Sequence, residues 1–128
     1  MTADNRIVGT RVVGVGTDII EIERIKAALR RRPRLLLRVF TDEERARFAA
    51  RGGSCSVVAG CFAAKEAAVK AAGGGSIRSA EVSWDASGRP SLIMRGRDDL
   101  HFFVSISHSR SYATAVAVAV ERADPARR

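Results

Sequence analysis

Two carboxylates and a lysine are the residues of this chain best suited to chemistry. Glu66 and Lys70 stand four apart in "FAAKEAAVKAAGGG" (62–75), a stretch otherwise built largely of alanine, valine and glycine. At helical spacing they share one face. The simplest reading is a surface ion pair worth a few tenths of a kcal/mol. The company argues for more. Ala59, Phe62, Ala63, Val69 and Gly73 surround Glu66 on such a helix, and a carboxylate set among apolar neighbours needs a compensating cation. Lys70 or a metal ion would serve. Asp18, in "GVGTDI" (14–19), follows an apolar run. It suits the N-cap or first turn of a helix beginning near Glu21, or a place at a strand end where a divalent ion is held. One carboxylate from a strand and one from a helix would suit Mg²⁺, which keeps several waters and takes its other ligands from phosphate oxygens.

Other candidates are weaker. "GVGTD" is neither GxGxxG nor a P-loop, so both nucleotide-fold readings fall. Gly73–Gly75 would stop a helix, and would also let a phosphate approach main-chain amides. "VSISHS" brings Ser105, Ser107 and His108 near a strand end, where a lone histidine is more often a core or turn residue. Without a G-x-S-x-G elbow it does not make a hydrolase. Cys55 and Cys61 lie too far apart on a helix to bridge. They read as reduced thiols, and with two histidines and no CxxC they make no zinc site.

These groups need elements to hold them. "TRVVGVGTDI" (10–19) reads as a strand whose glycines at 14 and 16 invite close approach by another backbone. "EIERIKAALRRR" has helical periodicity, Pro33 interrupts it, and "RLLLRVF" begins a second short helix. Thr41 and Glu44 fit a capping box for a helix from Asp42 to about Ala50. A long alanine-rich helix then spans Ser54 to Ala72. "AEVSW" and "SLIM" flank a turn at "DASGRP", and "HFFVSIS" and "YATAVAVAVE" form a second strand pair. The pattern predicts one α+β domain over residues 1–128, helices packed on an antiparallel sheet, with loose ends at about 1–9 and 123–128.

Composition narrows the partners. The 128 residues carry a formal charge of +8, which favours an anionic partner. Seven basic residues crowd the stretch Arg24–Arg38. They make a solvated face, a docking surface for an acidic protein, or a nucleic-acid site that lacks stacking aromatics. No apolar run is long enough for a signal or a membrane span, so a cytoplasmic protein is expected.

In order and spacing, "GTDI" (16–19), "FTDEE" (40–44), "FAAKEAAVKAAG" (62–73), "GRPSL" (88–92) and "VSISH" (104–108) together resemble the short class of 4′-phosphopantetheinyl transferases, the holo-acyl-carrier-protein synthases. The likeness runs from residue 12 to about 122. It implies the phosphopantetheinyl transferase fold, a homotrimer, and active sites shared between subunits. It implies transfer of the phosphopantetheine arm of coenzyme A to a serine of an acyl carrier protein, releasing 3′,5′-ADP, with Mg²⁺ on Asp18 and Glu66. Lys70 would lie near the pyrophosphate, Gly73, His108 and Ser109 would help hold coenzyme A, and Arg24, Arg31 and Arg34 would meet the acidic carrier. The chemistry agrees, because breaking a pyrophosphate calls for charge neutralisation and the nucleophile belongs to the partner. The chain departs from the pattern at Cys61, where arginine is usual, at Gly52–Gly53, where a basic pair is common, and at Phe103, where histidine is usual and His101 is displaced by two. The competing readings are an arginine-rich nucleic-acid-binding module and a non-catalytic relative that binds carriers.

Overall fold

The segment "ATAVAVAV" alternates alanine with larger residues, and it forms the centre of a sheet. Strand β5 (Tyr112–Glu121) buries Ala113, Ala115, Ala117 and Ala119 on one face and turns Thr114, Val116 and Val118 to the other. Strands β1 (Val12–Glu21) and β4 (Leu100–His108) flank it antiparallel, in the order β1-β5-β4. The computed structural model describes residues 11–122, so the expected loose ends lie outside the described residues. Between β1 and β4 come helices α1 (Ile22–Arg31), α2 (Leu35–Val39), α3 (Asp42–Ala50) and α4 (Cys55–Ala72), a short 3-10 turn, and a separate hairpin of β2 (Ala80–Trp84) and β3 (Pro90–Met94). The expected α+β order holds, with two antiparallel sheets in place of one.

Alanine is the strongest helix former, and α4 runs unbroken until Gly73 takes φ 83°. That left-handed residue lets the Gly74 N–H return to the Val69 carbonyl at 2.9 Å. The helix lies across the inner face of the three-stranded sheet. Its Ala59, Ala63, Ala64, Ala67, Ala68 and Ala71 are all buried, in one core cluster with the alanines of β5. Small residues on both surfaces bring the two backbones into contact. A Cβ on Gly14 would lie 2.1 Å from the Ala71 carbonyl oxygen, and one on Gly16 would lie 2.0 Å from that of Ala67. The close approach expected of these two glycines is therefore made by α4.

The capping box forms as expected, with the Glu44 N–H donating to Thr41 Oγ1 at 3.2 Å and the Thr41 N–H to Glu44 Oε1 at 2.9 Å. Glu44 does far more than cap. It is wholly buried and accepts from Lys65 Nζ at 2.6 Å and from the Val82 N–H at 2.7 Å. Lys65, wholly buried too, also donates to the Val39 carbonyl at 2.8 Å and stands 5.4 Å from the Phe40 ring centre. One ion pair thus ties α2, α3 and the hairpin to α4. Cys61 is buried beside it, and its thiol pKa is pushed up by burial first and by the Glu44 charge second.

Two outcomes follow. Gly16→Ala forces a carbon into a backbone carbonyl, and urea denaturation should show a loss of about 3 kcal/mol, near the upper end for overpacking. Folding holds the Cys61 proton, so stability from this source is complete below the ordinary thiol value of about 8.5 and is lost as pH rises through it toward the raised folded value. Urea midpoints of Cys61→Ala should therefore fall less steeply than those of the parent above about pH 8.5; parallel slopes would contradict the burial argument.

Candidate active site

On β1 the residues facing α4 are Gly14, Gly16 and, next in the alternation, Asp18. The glycines admit the helix backbone, and Asp18 emerges where α4 presents Lys70. Lys70 Nζ donates to the Thr17 carbonyl at 2.9 Å and to Asp18 Oδ1 at 3.3 Å. The Asp18 side chain is 17% exposed and the lysine 54%. Asp18 is thus not a helix cap: β1 continues to Glu21, the residue that precedes α1, and Asp18 pairs across the sheet with Ala115. The Thr114 hydroxyl, donating to the Asp18 carbonyl at 2.9 Å, fixes this stretch of strand.

Lys70 pairs with Asp18 and not with Glu66, which corrects the simple i,i+4 pair. Glu66 sits one turn before Lys70, half-buried, and enters no ion pair among the described residues. Residues four apart on a helix have Cβ atoms about 5–6 Å apart, so Lys70 stands next to both carboxylates. Two negative charges against one positive leave the rim short of a cation. The donors are hard oxygens, they are too few for a closed cage, and no group of three or more His, Cys, Asp or Glu is placed to hold a metal among the described residues. This set fits Mg²⁺, which retains waters and takes phosphate oxygens, and does not fit structural zinc.

The other expected residues are spread over the surface. Gly73 caps α4 and lines a cavity of about 340 Å³ with Gly74 and Gly75. Arg97 crosses this cavity, bonded to Asp99 and to the Ala72 carbonyl. His108 is the exposed last residue of β4, so it is not a core histidine. Ser109 holds the β4–β5 turn, its hydroxyl accepting from the Tyr112 N–H at 3.2 Å. His108 lines a pocket of about 200 Å³ with Arg47, Arg51, Gly60, Cys61 and Trp84. Gly60 lies in the N-terminal third of α4 and Gly73 caps its C-terminal end, so at 1.5 Å per residue the His108 pocket and the glycine turn lie about 20 Å apart. Arg24, Arg31 and Arg34 are exposed on α1 and just before α2. Arg34 also borders an open concavity with Arg32, Arg38 and Leu35.

The buried Lys65–Glu44 pair and the arginines of the His108 pocket escaped the sequence reading. Glu44 was accounted for as a cap. Arg47 and Arg51 are an i,i+4 basic pair, a usable signal that the abundance of arginine elsewhere masks.

Comparison with known proteins assigns the family. The sequence profile described as "4'-phosphopantetheinyl transferase superfamily" matches residues 14–117. The chain is 42% identical over 120 residues to a holo-[acyl-carrier-protein] synthase of Alkaliphilus metalliredigens, covering 84% of this chain and 98% of that one. It is 41% identical over 121 residues to the synthase of Geobacillus kaustophilus, covering 89% and 92%. Among solved structures, the holo-(acyl-carrier-protein) synthase of Bacillus anthracis in complex with CoA (3',5'-ADP) superposes with a TM-score of 0.75 at 38% identity, over 87% of this chain and 98% of that one. The holo-ACP-synthase of Plasmodium yoelii gives 0.79 at 29%, over 89% and 98%. With its Lys70–Asp18 rim, its alanine helix and these relatives, the chain belongs to the 4′-phosphopantetheinyl transferase superfamily.

Proposed function

We propose that this chain transfers the 4′-phosphopantetheine group of coenzyme A to a serine of an acidic acyl carrier protein and releases 3′,5′-ADP. The observation that carries the reading is the Lys70–Asp18 contact beside the uncompensated Glu66, in a chain similar to named holo-[acyl-carrier-protein] synthases. In the transfer the carrier serine oxygen bonds to the phosphorus of the pantetheine phosphate, and the P–O bond to the nucleotide breaks. In this reading Glu66, which enters no ion pair among the described residues, takes the serine proton. Lys70 faces the charge that grows on the departing 3′,5′-ADP. Asp18 holds Lys70 in position from the strand. Mg²⁺ held by Asp18 and Glu66 would neutralise the pyrophosphate oxygens.

The surface agrees with this reading. Arg24, Arg31 and Arg34 are exposed basic residues, suited to steering an acidic carrier. The outer face of the three-stranded sheet carries Val15 at 60%, Ile19 at 66% and Phe103 at 56% exposure, beside Val116 and Val118. We read this apolar face as the contact of a homotrimer. The separation of His108 and Ser109 from Gly73 within one chain supports a site completed by the neighbouring subunit. Two cysteines with no disulfide suit a cytoplasmic setting.

Incubating an apo-carrier with the chain, coenzyme A and Mg²⁺ should add the pantetheine arm, read by intact mass, and chelating the metal should stop it. Glu66→Gln and Asp18→Asn should each slow transfer about 100-fold or more with unchanged circular dichroism. A Glu66→Gln variant at full rate removes that residue from the chemistry. Carrier binding with no mass gain by the parent would favour the non-catalytic reading, and salt-dependent binding of nucleic acid the arginine-module reading. Sedimentation should give three chain masses, and Val15→Asp should dissociate the assembly and lose transfer together.

A further inference from the structure

Among the outward residues Thr114, Val116, Val118 and Val120 of β5, only Thr114 carries a hydrogen-bonding group. Threonine and valine have nearly the same shape and both suit a strand, so packing alone does not call for the hydroxyl. It is spent on β1, donating at 2.9 Å to the carbonyl of Asp18, 96 positions away in the chain. The carbonyl of the preceding residue, Thr17, accepts from Lys70 Nζ at 2.9 Å. The two peptide groups that flank the Asp18 Cα are therefore each held by a side chain, one from the sheet and one from α4. Such ties count most on β1, an edge strand with β5 on one side only. The Lys70–Asp18 contact itself measures 3.3 Å, longer than the about 2.7–2.9 Å of a close charge-assisted bond. The lysine binds the backbone more closely than the carboxylate, so its pull does not by itself place the acid. The short aspartate side chain goes where the path of the strand aims it.

From this geometry we infer that Thr114 is a positioning residue for the transfer reaction: through the Asp18 carbonyl, its hydroxyl holds the Asp18 carboxylate at its working distance from Lys70. The inference rests on the transferase reading for the reaction itself. Thr114 acts through the strand and not on the substrate. In the register Thr114 stands opposite Ile19, and Asp18 stands opposite Ala115. The hydroxyl thus reaches diagonally to the carbonyl that follows the Asp18 Cα. Releasing that carbonyl frees the peptide plane between Asp18 and Ile19 to rotate, and the rotation passes to the carboxylate. Displacing a catalytic group by about 1 Å can cost about 100-fold in rate.

Thr114→Val removes the donor and keeps the shape. It also makes the outer face of the sheet more apolar, so it does not weaken an assembly through that face. With coenzyme A, Mg²⁺ and an apo-carrier, this variant should lower kcat about tenfold and leave KM for coenzyme A within about threefold. Thr114→Ser, which keeps the hydroxyl and loses the methyl, should restore kcat to within about twofold of the parent. Sedimentation should give the parent's mass for both variants, and a smaller mass that accounts for the lost rate would overturn the inference. Crystals read the geometry without turnover. The parent should keep the Lys70–Asp18 contact, and Thr114→Val should place Asp18 Oδ1 more than about 4 Å from Lys70 Nζ, outside ion-pair range. An unmoved carboxylate overturns the inference, as does Thr114→Val at the parent's rate, or Thr114→Ser as slow as Thr114→Val. A carboxylate that shifts in a chain whose parent transfers nothing would sink the transferase reading and leave the hold of Thr114 on Asp18 standing.

Discussion

The contact on which the rest depends is that of the α4 backbone with the backbone of β1. Helices usually rest on sheets through interposed side chains. Here Gly14 and Gly16 remove those side chains from the strand, and a row of alanines removes them from the helix. The helix descends until the carbonyls of Ala67 and Ala71 occupy the space where the strand's Cβ atoms would be. At that distance Lys70 reaches the Thr17 carbonyl and the Asp18 carboxylate from its own helix turn. Bulkier residues at the interface would lift the helix and carry the lysine out of range. The low aromatic content thus reflects a core built from the smallest side chains.

Beside this interface Ile22, Ile25, Phe40 and Phe48 join the core, and the buried Lys65–Glu44 pair links α2, α3 and the hairpin to α4. A pair with no exposure must satisfy every donor and acceptor to be tolerated. Here the Lys65 ammonium donates to Glu44 and to the Val39 carbonyl and lies over the Phe40 ring, and the Glu44 carboxylate also accepts from the Thr41 and Val82 amides. Each partner group belongs to a different element, so the requirement to match them fixes the placement of α3 and the hairpin against α4. That placement sets Arg47 under the hairpin and forms the pocket next to His108.

Charge on this molecule is therefore sorted by burial. The wholly buried pair is structural. The half-buried Asp18, Glu66 and Lys70 form a rim with one carboxylate unpaired, the arrangement that can take a cation or a proton. The arginines of α1 and around α2 are exposed to solvent. The outer surface of the sheet exposes Val15, Ile19, Phe103 and Val116.

The sequence by itself determined what depends on near neighbours. The alternation of residues 113–120 made a strand, Thr41 and Glu44 made a cap, Gly73 ended the alanine helix, and the order and spacing of the motifs from Gly16 to His108 marked the family. All of these rest on periodicity and on bonds spanning a few residues. Only the tertiary structure decided that Lys70 pairs with Asp18 across 52 positions, that Lys65 is buried with Glu44, and that Arg47 and His108 line one pocket. The reason is physical. A charged side chain takes the nearest compatible group in space, and which group is nearest depends on how closely a helix settles on a sheet, a distance fixed by the side chains that are missing from both surfaces.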